Sequence, residues 1–255
     1  MFLAKNFRLL LIALQFLTRL PVSLAIPPSE AELVQSERYF PVVGLLLGVI
    51  LVITNYLLAP YLPLVGVNVV LIFLVMLYSG GLHLDGFADC LDAFYSGRDK
   101  EKMLLIMKDS RIGVMGAIGL MLYFALLLTF LHVIPQPVRW KTLLIMPVIS
   151  RAMIVNLAFF GIYAREEGLA KVFIEQAAGS DWMISLGSTA VFAVYLFGIK
   201  GVVLVLLSYA FSLSILRMSV RRIEGITGDV LGLTNEVITL AVPIIVKFLY
   251  LKPAP

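Results

Sequence analysis

Between Tyr39 and Leu84 the chain carries no Asp, Glu, Lys or Arg. That stretch is too long for one membrane crossing, which takes about 20 apolar residues. The segment Ala59–Gly66 (APYLPLVG) divides it, predicting spans over 40–58 and 64–82. A second uncharged run, Ile112–Val138, predicts a third span that ends at Pro135 and Pro137. Further apolar runs predict spans at about 142–163, 182–199, 201–216 and from Val237 to about Leu251. The polar link AREEGLAKVFIEQAAGSD, between the fourth and fifth spans, is amphipathic enough for a surface helix. Near the start, KNFRLLLIALQFLTRLP is interrupted by Lys5, Arg8, Gln15 and Arg19, which predicts an amphipathic helix lying in the membrane interface. The small residues Ser23 and Ala25 also fit the cleavage end of a signal peptide, but Arg19 follows the apolar core too closely for that reading. Pro27, Pro28 and Ser29 mark a turn into a short polar helix capped by Ser29. The expected fold is all-α: a polytopic integral membrane protein of about seven transmembrane helices, with one membrane-embedded catalytic domain over 1–255.

Composition agrees with this pattern. Hydrophobic residues make up 61% of the chain and charged residues 14%, against about 45–50% and about 25% in ordinary soluble domains. The net charge of +4 suits basic loops facing an anionic leaflet and requires no nucleic acid. Connections after the second, fourth and sixth spans carry Arg98, Lys100, Lys102, Lys108, Arg111, Arg165, Lys171, Arg217, Arg221 and Arg222. The opposite side offers Arg139, Lys141, Lys200 and Lys252. The positive-inside rule therefore places the N-terminus and all the polar loops in the cytoplasm. The lone Cys90 excludes an intrachain disulfide and reads as a small filler.

The chemistry concentrates in Gly80–Gly113, which holds six of the chain's 16 acidic residues (Asp85, Asp89, Asp92, Asp99, Glu101 and Asp109). Read as a helix, Asp85, Asp89 and Asp92 fall at i, i+4 and i+7 on one face, where like charges call for a cation. Oxygen ligands without a Cys–His cluster favour Mg²⁺ or Mn²⁺ over zinc. Such ions act on phosphates, and Arg98 and the run Lys108, Asp109, Ser110, Arg111 supply phosphate-binding groups. A second polar segment, GITGDVLGLTNE, repeats the mixture with Thr227, Asp229, Asn235 and Glu236, preceded by Arg221 and Arg222. The glycines around each motif are expected to admit a ligand close to the backbone or to make ordinary turns. Arg151 lies deep in the fourth span, where an ionisable residue faces a protein interior or a wet cavity. His83, just before Asp85, is a candidate base or phosphate contact. A transporter is the alternative class, with Arg151 and the loop acids lining a path. The clustering of the acids at one face and the apparent lack of broken spans argue against it.

GGLHLDGFADCLDA, IMKDSRIGVMG and RRIEGITGDVLGLTNE, together with FLTRLPV and RYFPVVGLLLG, resemble the cobalamin synthase family, the adenosylcobinamide-GDP ribazoletransferases. The likeness covers nearly the whole chain. It implies a multi-pass enzyme of the bacterial inner membrane that joins adenosylcobinamide-GDP to α-ribazole or its 5′-phosphate and releases GMP, with Mg²⁺ as cofactor. With that activity Asp85, Asp89 and Asp92 would hold the metal, and Lys108 and Arg111, joined by Arg151 or Arg221, would hold phosphate oxygens; which side chain, if any, takes the hydroxyl proton is not set by the sequence, with His83, Asp89 and Asp229 as candidates. A homo-oligomer is admitted but not required. The CDP-alcohol phosphotransferase signature Asp-x-x-Asp-Gly-x-x-Ala-Arg is not met, since Leu82 and Cys90 stand at its first Asp and its Arg. The expected orientation is testable: with Cys90→Ser in place, Ser96→Cys should react with an impermeant maleimide only from the cytoplasmic side. Labelling in intact cells would reverse the assignment.

Overall fold

The structure, a computed structural model, describes residues 2–22 and 24–250. Ser23, the expected end of the last span at Leu251, and Lys252 lie outside them. The described residues are helical throughout, apart from connections and one isolated parallel bridge, Tyr163–Ile226. Helix α1 (Phe2–Leu17) buries Leu9, Ile12, Ala13 and Leu17 along one stripe, as an amphipathic helix should. Helix α2 (Glu30–Ser36) begins with the expected Ser29 cap, completed into a capping box by Glu32. Arg8 reaches across from α1 to Glu32 at 2.6 Å and ties the two helices together.

The spans are α3 (Phe40–Leu58), α4 (Leu64–Ser79), α7 (Val114–His132), α8 (Gln136–Phe160), α10 (Gly179–Phe197), α11 (Ile199–Ile223) and α12 (Gly228–Tyr250). Six of these seven are long and apolar enough to cross a bilayer alone. The seventh, α4, is shorter and passes that test only together with α5 (Leu82–Phe94), to which it stands at 92°. The second span thus stops short of its expected end at Leu82. Gly80 and Gly81 take φ of 63° and 75°, a left-handed pair that turns the chain sharply. Helix α5 therefore lies across the bundle end instead of continuing through the membrane. The short helices α6 (Lys100–Ile106) and α9 (Lys171–Glu175) lie at the same end, which we call the loop face.

Two boundaries move because helices run further than apolarity indicates. Helix α11 continues through Arg217, Arg221 and Arg222, and α12 starts at Gly228, so Asn235 and Glu236 are buried in helix rather than held in a loop.

Helix α8 is the central post, nearly all of it buried. It meets α3 at Gly44 and Gly48, one turn apart. A Cβ at Gly48 would stand 2.5 Å from Leu144 O, and one at Gly44 would strike Pro147 O. Small residues four apart let helix backbones approach in a membrane, where lipid offers no hydrophobic drive between helices.

At the far face Arg139 is 2% exposed and donates to Asn55 Oδ1 (2.8 Å), Leu131 O (2.7 Å) and Asn68 Oδ1. Lys141 and Lys200 likewise donate to Leu196 O and Leu249 O, each at 2.8 Å. These basic residues, expected as loop charges, cap the last turns of α7, α10 and α12. Gly48→Leu should destabilise the protein in detergent by the ~1–3 kcal/mol typical of overpacking, read as a lowered unfolding midpoint. An unchanged melt followed by tryptophan fluorescence would rule out the close α3–α8 contact.

Candidate active site

Helix α5 crosses the start of α12 with backbone against backbone. A Cβ at Gly86 would stand 2.7 Å from Asp229 Cα, and one at Gly232 would stand 2.9 Å from His83 O. Glycine is needed at both positions for the helices to come this close. The two polar motifs, 143 positions apart when Gly86 is counted to Asp229, thereby meet at one place. Gly80 and Gly81 make the turn and Gly86 and Gly232 the helix contact, while Gly228 lines a cavity beside the site.

Asp85 is exposed and Asp89 half-buried on α5. Burial, then the charges of Asp85, Asp229 and Asp92, push the Asp89 carboxyl up to about 7, only partly offset by Arg165. The cluster has more negative charge than its surroundings balance. Asp92 shares the helical face but has another use. Its two oxygens accept from Gly113 N at 2.7 Å and Gly116 N at 2.8 Å, so it caps the N-terminus of α7 from a neighbouring helix.

Asp229 accepts from Arg165 Nη2 at 2.6 Å and from Thr227 Oγ1 at 3.1 Å. Arg165 is positioned by the bridge between the link and the second motif, in which Ala164 N donates to Ile226 O (2.9 Å) and Ile226 N to Ile162 O (2.8 Å). Sequence reasoning counted Arg165 only as a loop charge. The available signal was a lone arginine in a polar link on the same face as both acidic motifs.

Two cavities meet at Tyr163 and Arg165. One is an open cleft of about 670 Å³, lined by Lys100 of α6 and Lys108 just beyond it together with Arg165 and Glu166. The other, of about 240 Å³, is lined by Asp85, Asp229, His83 and Arg165 together with apolar side chains that include Phe16, Leu17, Ile154 and Leu231.

Of the residues expected to bind phosphate, Lys108 alone lines the open cleft beside Arg165. Arg98 is exposed at the turn after α5. Arg111 forms a forked pair with Asp109, at 2.6 Å for the closest contact, over a separate groove of about 460 Å³. Arg222 donates to Phe94 O and lies over the Phe94 ring, and Arg221 lines an outer groove with Arg217. Thr227 is fully buried beneath Asp229.

Arg151, Asn235 and Glu236 form an interior set. Counting helix rise from the loop face, Arg151, Glu236 and Tyr123 all sit about 12–14 Å deep. Glu236 accepts from Tyr123 Oη and from Asn235 Nδ2, the latter at 2.8 Å. Arg151 donates to Ser150 Oγ at 3.0 Å, while its Nε and Nη2 have no partner. His83, buried above this set, is held near 3 by burial and by the Arg151 charge, and its Nδ1 is unpartnered. A histidine so disposed is a poor proton acceptor at neutral pH.

A sequence profile described as cobalamin-5-phosphate synthase matches residues 9–246. The chain belongs to this family. It is 33% identical over 248 residues to the adenosylcobinamide-GDP ribazoletransferase of Clostridium tetani, covering 95% of this chain and 97% of that one. It is 36% identical to the proteins of the same name from Desulfitobacterium hafniense, over 91% and 93% of the two chains, and Acetivibrio thermocellus, over 91% and 94%. No solved structure matches it. As a member of this family it is a transferase of cobalamin biosynthesis.

Among the described residues no three His, Cys, Asp or Glu side chains are gathered closely enough to form a metal cage. The donor chemistry is nevertheless that of a hard cation shared with phosphate. Mg²⁺ usually takes only one or two carboxylates and fills its octahedron with water and phosphate oxygens, and Asp85 and Asp89 meet that requirement.

The contrast between Asp89 and Asp92 is testable by melting. Asp92→Ala should destabilise the protein by about 1 kcal/mol as a lost helix cap, with Asp92→Asn recovering part of the loss. Asp89→Ala should leave the midpoint unchanged or raise it, because a repelled charge is removed. Equal destabilisation by both alanine variants would contradict the capping role.

Proposed function

We propose that this chain transfers the adenosylcobinamide-phosphate group of adenosylcobinamide-GDP to α-ribazole or its 5′-phosphate, releasing GMP. The observation that carries this reading is the contact at Gly86 and Asp229, which gathers carboxylates from both motifs beside a charged cleft that includes Lys100, Lys108 and Arg165. The names of the relatives supply the reaction. The alternation of spans and the loop-face cations support a cytoplasmic active site in the inner membrane.

Asp85 and Asp89 would hold Mg²⁺, which supplies charge neutralisation on the pyrophosphate. Lys100, Lys108 and Arg165 bind phosphate oxygens along the open cleft and orient the donor. Asp229, fixed by Arg165 and Thr227, faces the acceptor hydroxyl. That oxygen attacks the cobinamide-side phosphorus, and the bond from this phosphorus to the bridging oxygen breaks. GMP departs with the bonding electrons, and the hydroxyl proton passes to a carboxylate of the cluster. The buried Arg151–Glu236–Tyr123 set supports α5 from below.

The test is GMP release by purified protein given both substrates. It should require Mg²⁺, stop on chelation and resume on adding the ion back. Asp89→Ala and Asp229→Ala should each lower kcat by at least about 100-fold, and the double variant should be hardly worse, as members of one catalytic unit behave. Vesicle uptake of substrate without GMP release would establish a transporter instead.

A further inference from the structure

We infer that the 240 Å³ cavity between α1, α5, α8 and α12 is the seat of the acceptor's flat heterocyclic base, with the open cleft left to the donor; this rests on the transferase reading above. A transferase with two substrates needs two pockets that open on one reacting centre. Of the cavities at the loop face, two share Tyr163 and Arg165 as a common wall. Arg165 is bonded to Asp229, so the wall is also the point where the carboxylates lie.

The two cavities differ in size and chemistry. The open cleft, of about 670 Å³, carries Lys100, Lys108 and Arg165 interleaved with Glu101, Glu166 and Glu167, and its three cations and open form suit a pyrophosphate attached to bulky groups that project outward. The smaller cavity lies just below the range of about 300–1,000 Å³ that encloses drug-sized ligands. It takes a bicyclic ring with part of a ribose and excludes a corrin macrocycle. Phe16, Leu17, Ile154 and Leu231 line its apolar body, and Leu82 stands at its rim, 48% exposed. Its charged and titratable lining is Asp85, Asp229, His83 and Arg165, of which Asp229 and Arg165 are bonded to each other at 2.6 Å.

This mixture of an apolar lining with a few polar groups matches the acceptor. Ribazole is a benzimidazole riboside, an apolar flat base joined to a hydroxylated sugar. With the base among Phe16, Ile154 and Leu231, the ribose reaches Asp85 and Asp229, where its hydroxyl is needed. The donor offers no such division, since its nucleotide and corrin ends are both too large or too charged for an apolar recess of this size. Burial of the base supplies the affinity, because apolar area removed from water is worth about 25 cal/mol per Å². The carboxylates supply orientation.

The test uses two substitutions that fill the cavity from different helices, Leu82→Trp and Leu231→Phe, and one in the open cleft, Leu105→Trp. For both cavity variants the KM for α-ribazole should rise at least about ten-fold, equivalent to about 1.4 kcal/mol of lost binding. Their KM for adenosylcobinamide-GDP should stay within about two-fold, a difference smaller than 0.5 kcal/mol. Leu105→Trp should do the reverse. In the absence of donor, the fluorescence shift of α-ribazole on binding to wild-type protein in nanodiscs should be lost with Leu82→Trp, whose rim position spares the core. Unchanged ribazole KM in both cavity variants, or a rise confined to the donor, would overturn the assignment while leaving the activity intact. No GMP release by the wild-type protein would overturn the transferase reading itself.

Discussion

Everything at the loop face depends on α5 lying directly on the backbone of α12. The contact is made at Gly86 and Gly232, and a methyl group at either would overlap the opposite chain. Its consequence is electrostatic as much as steric. It holds Asp85 and Asp89 against Asp229 at a distance where their charges act on one another, so that Asp89 is pushed up to about 7. The left-handed pair Gly80–Gly81 is the precondition, because it turns α5 across the bundle end and delivers Gly86 to α12.

Acid and base balance differently at two depths. Near the surface the carboxylates outnumber their cation, and Arg165 alone is paired with Asp229. Deeper in, the guanidinium of Arg151 keeps two nitrogens unpartnered, and Glu236 is satisfied by Tyr123 and Asn235 instead. A buried polar set is stiff when satisfied and costly where it is not. The floor beneath α5 is thus polar at membrane depth but closed to either cavity.

Most of the architecture was legible in the sequence because apolar runs measure the bilayer directly. The all-helical fold, six of the seven expected spans and the Ser29 cap follow from local pattern. What was illegible depends on partners distant in the chain. The i, i+4, i+7 spacing puts Asp92 with Asp85 and Asp89, yet Gly113 and Gly116 take its oxygens. Asn235 and Glu236 looked like loop residues because polar side chains were read as surface, whereas α12 buries them against α7 and α8. Arg221 and Arg222 precede the second motif in sequence, but α11 remains helical there and carries them away from the acids. Arg165 was missed for the opposite reason, since a two-residue bridge to Ile226 is invisible to any periodicity.

The capping of α7, α10 and α12 by Arg139, Lys141 and Lys200 bears on how the chain acquires its direction in the bilayer. While the helices are still threading, these three residues are ordinary cations and weaken the charge contrast between the two ends. Once packed, each is absorbed into the partial negative charge of a helix terminus. The contrast between the faces therefore sharpens as the bundle forms.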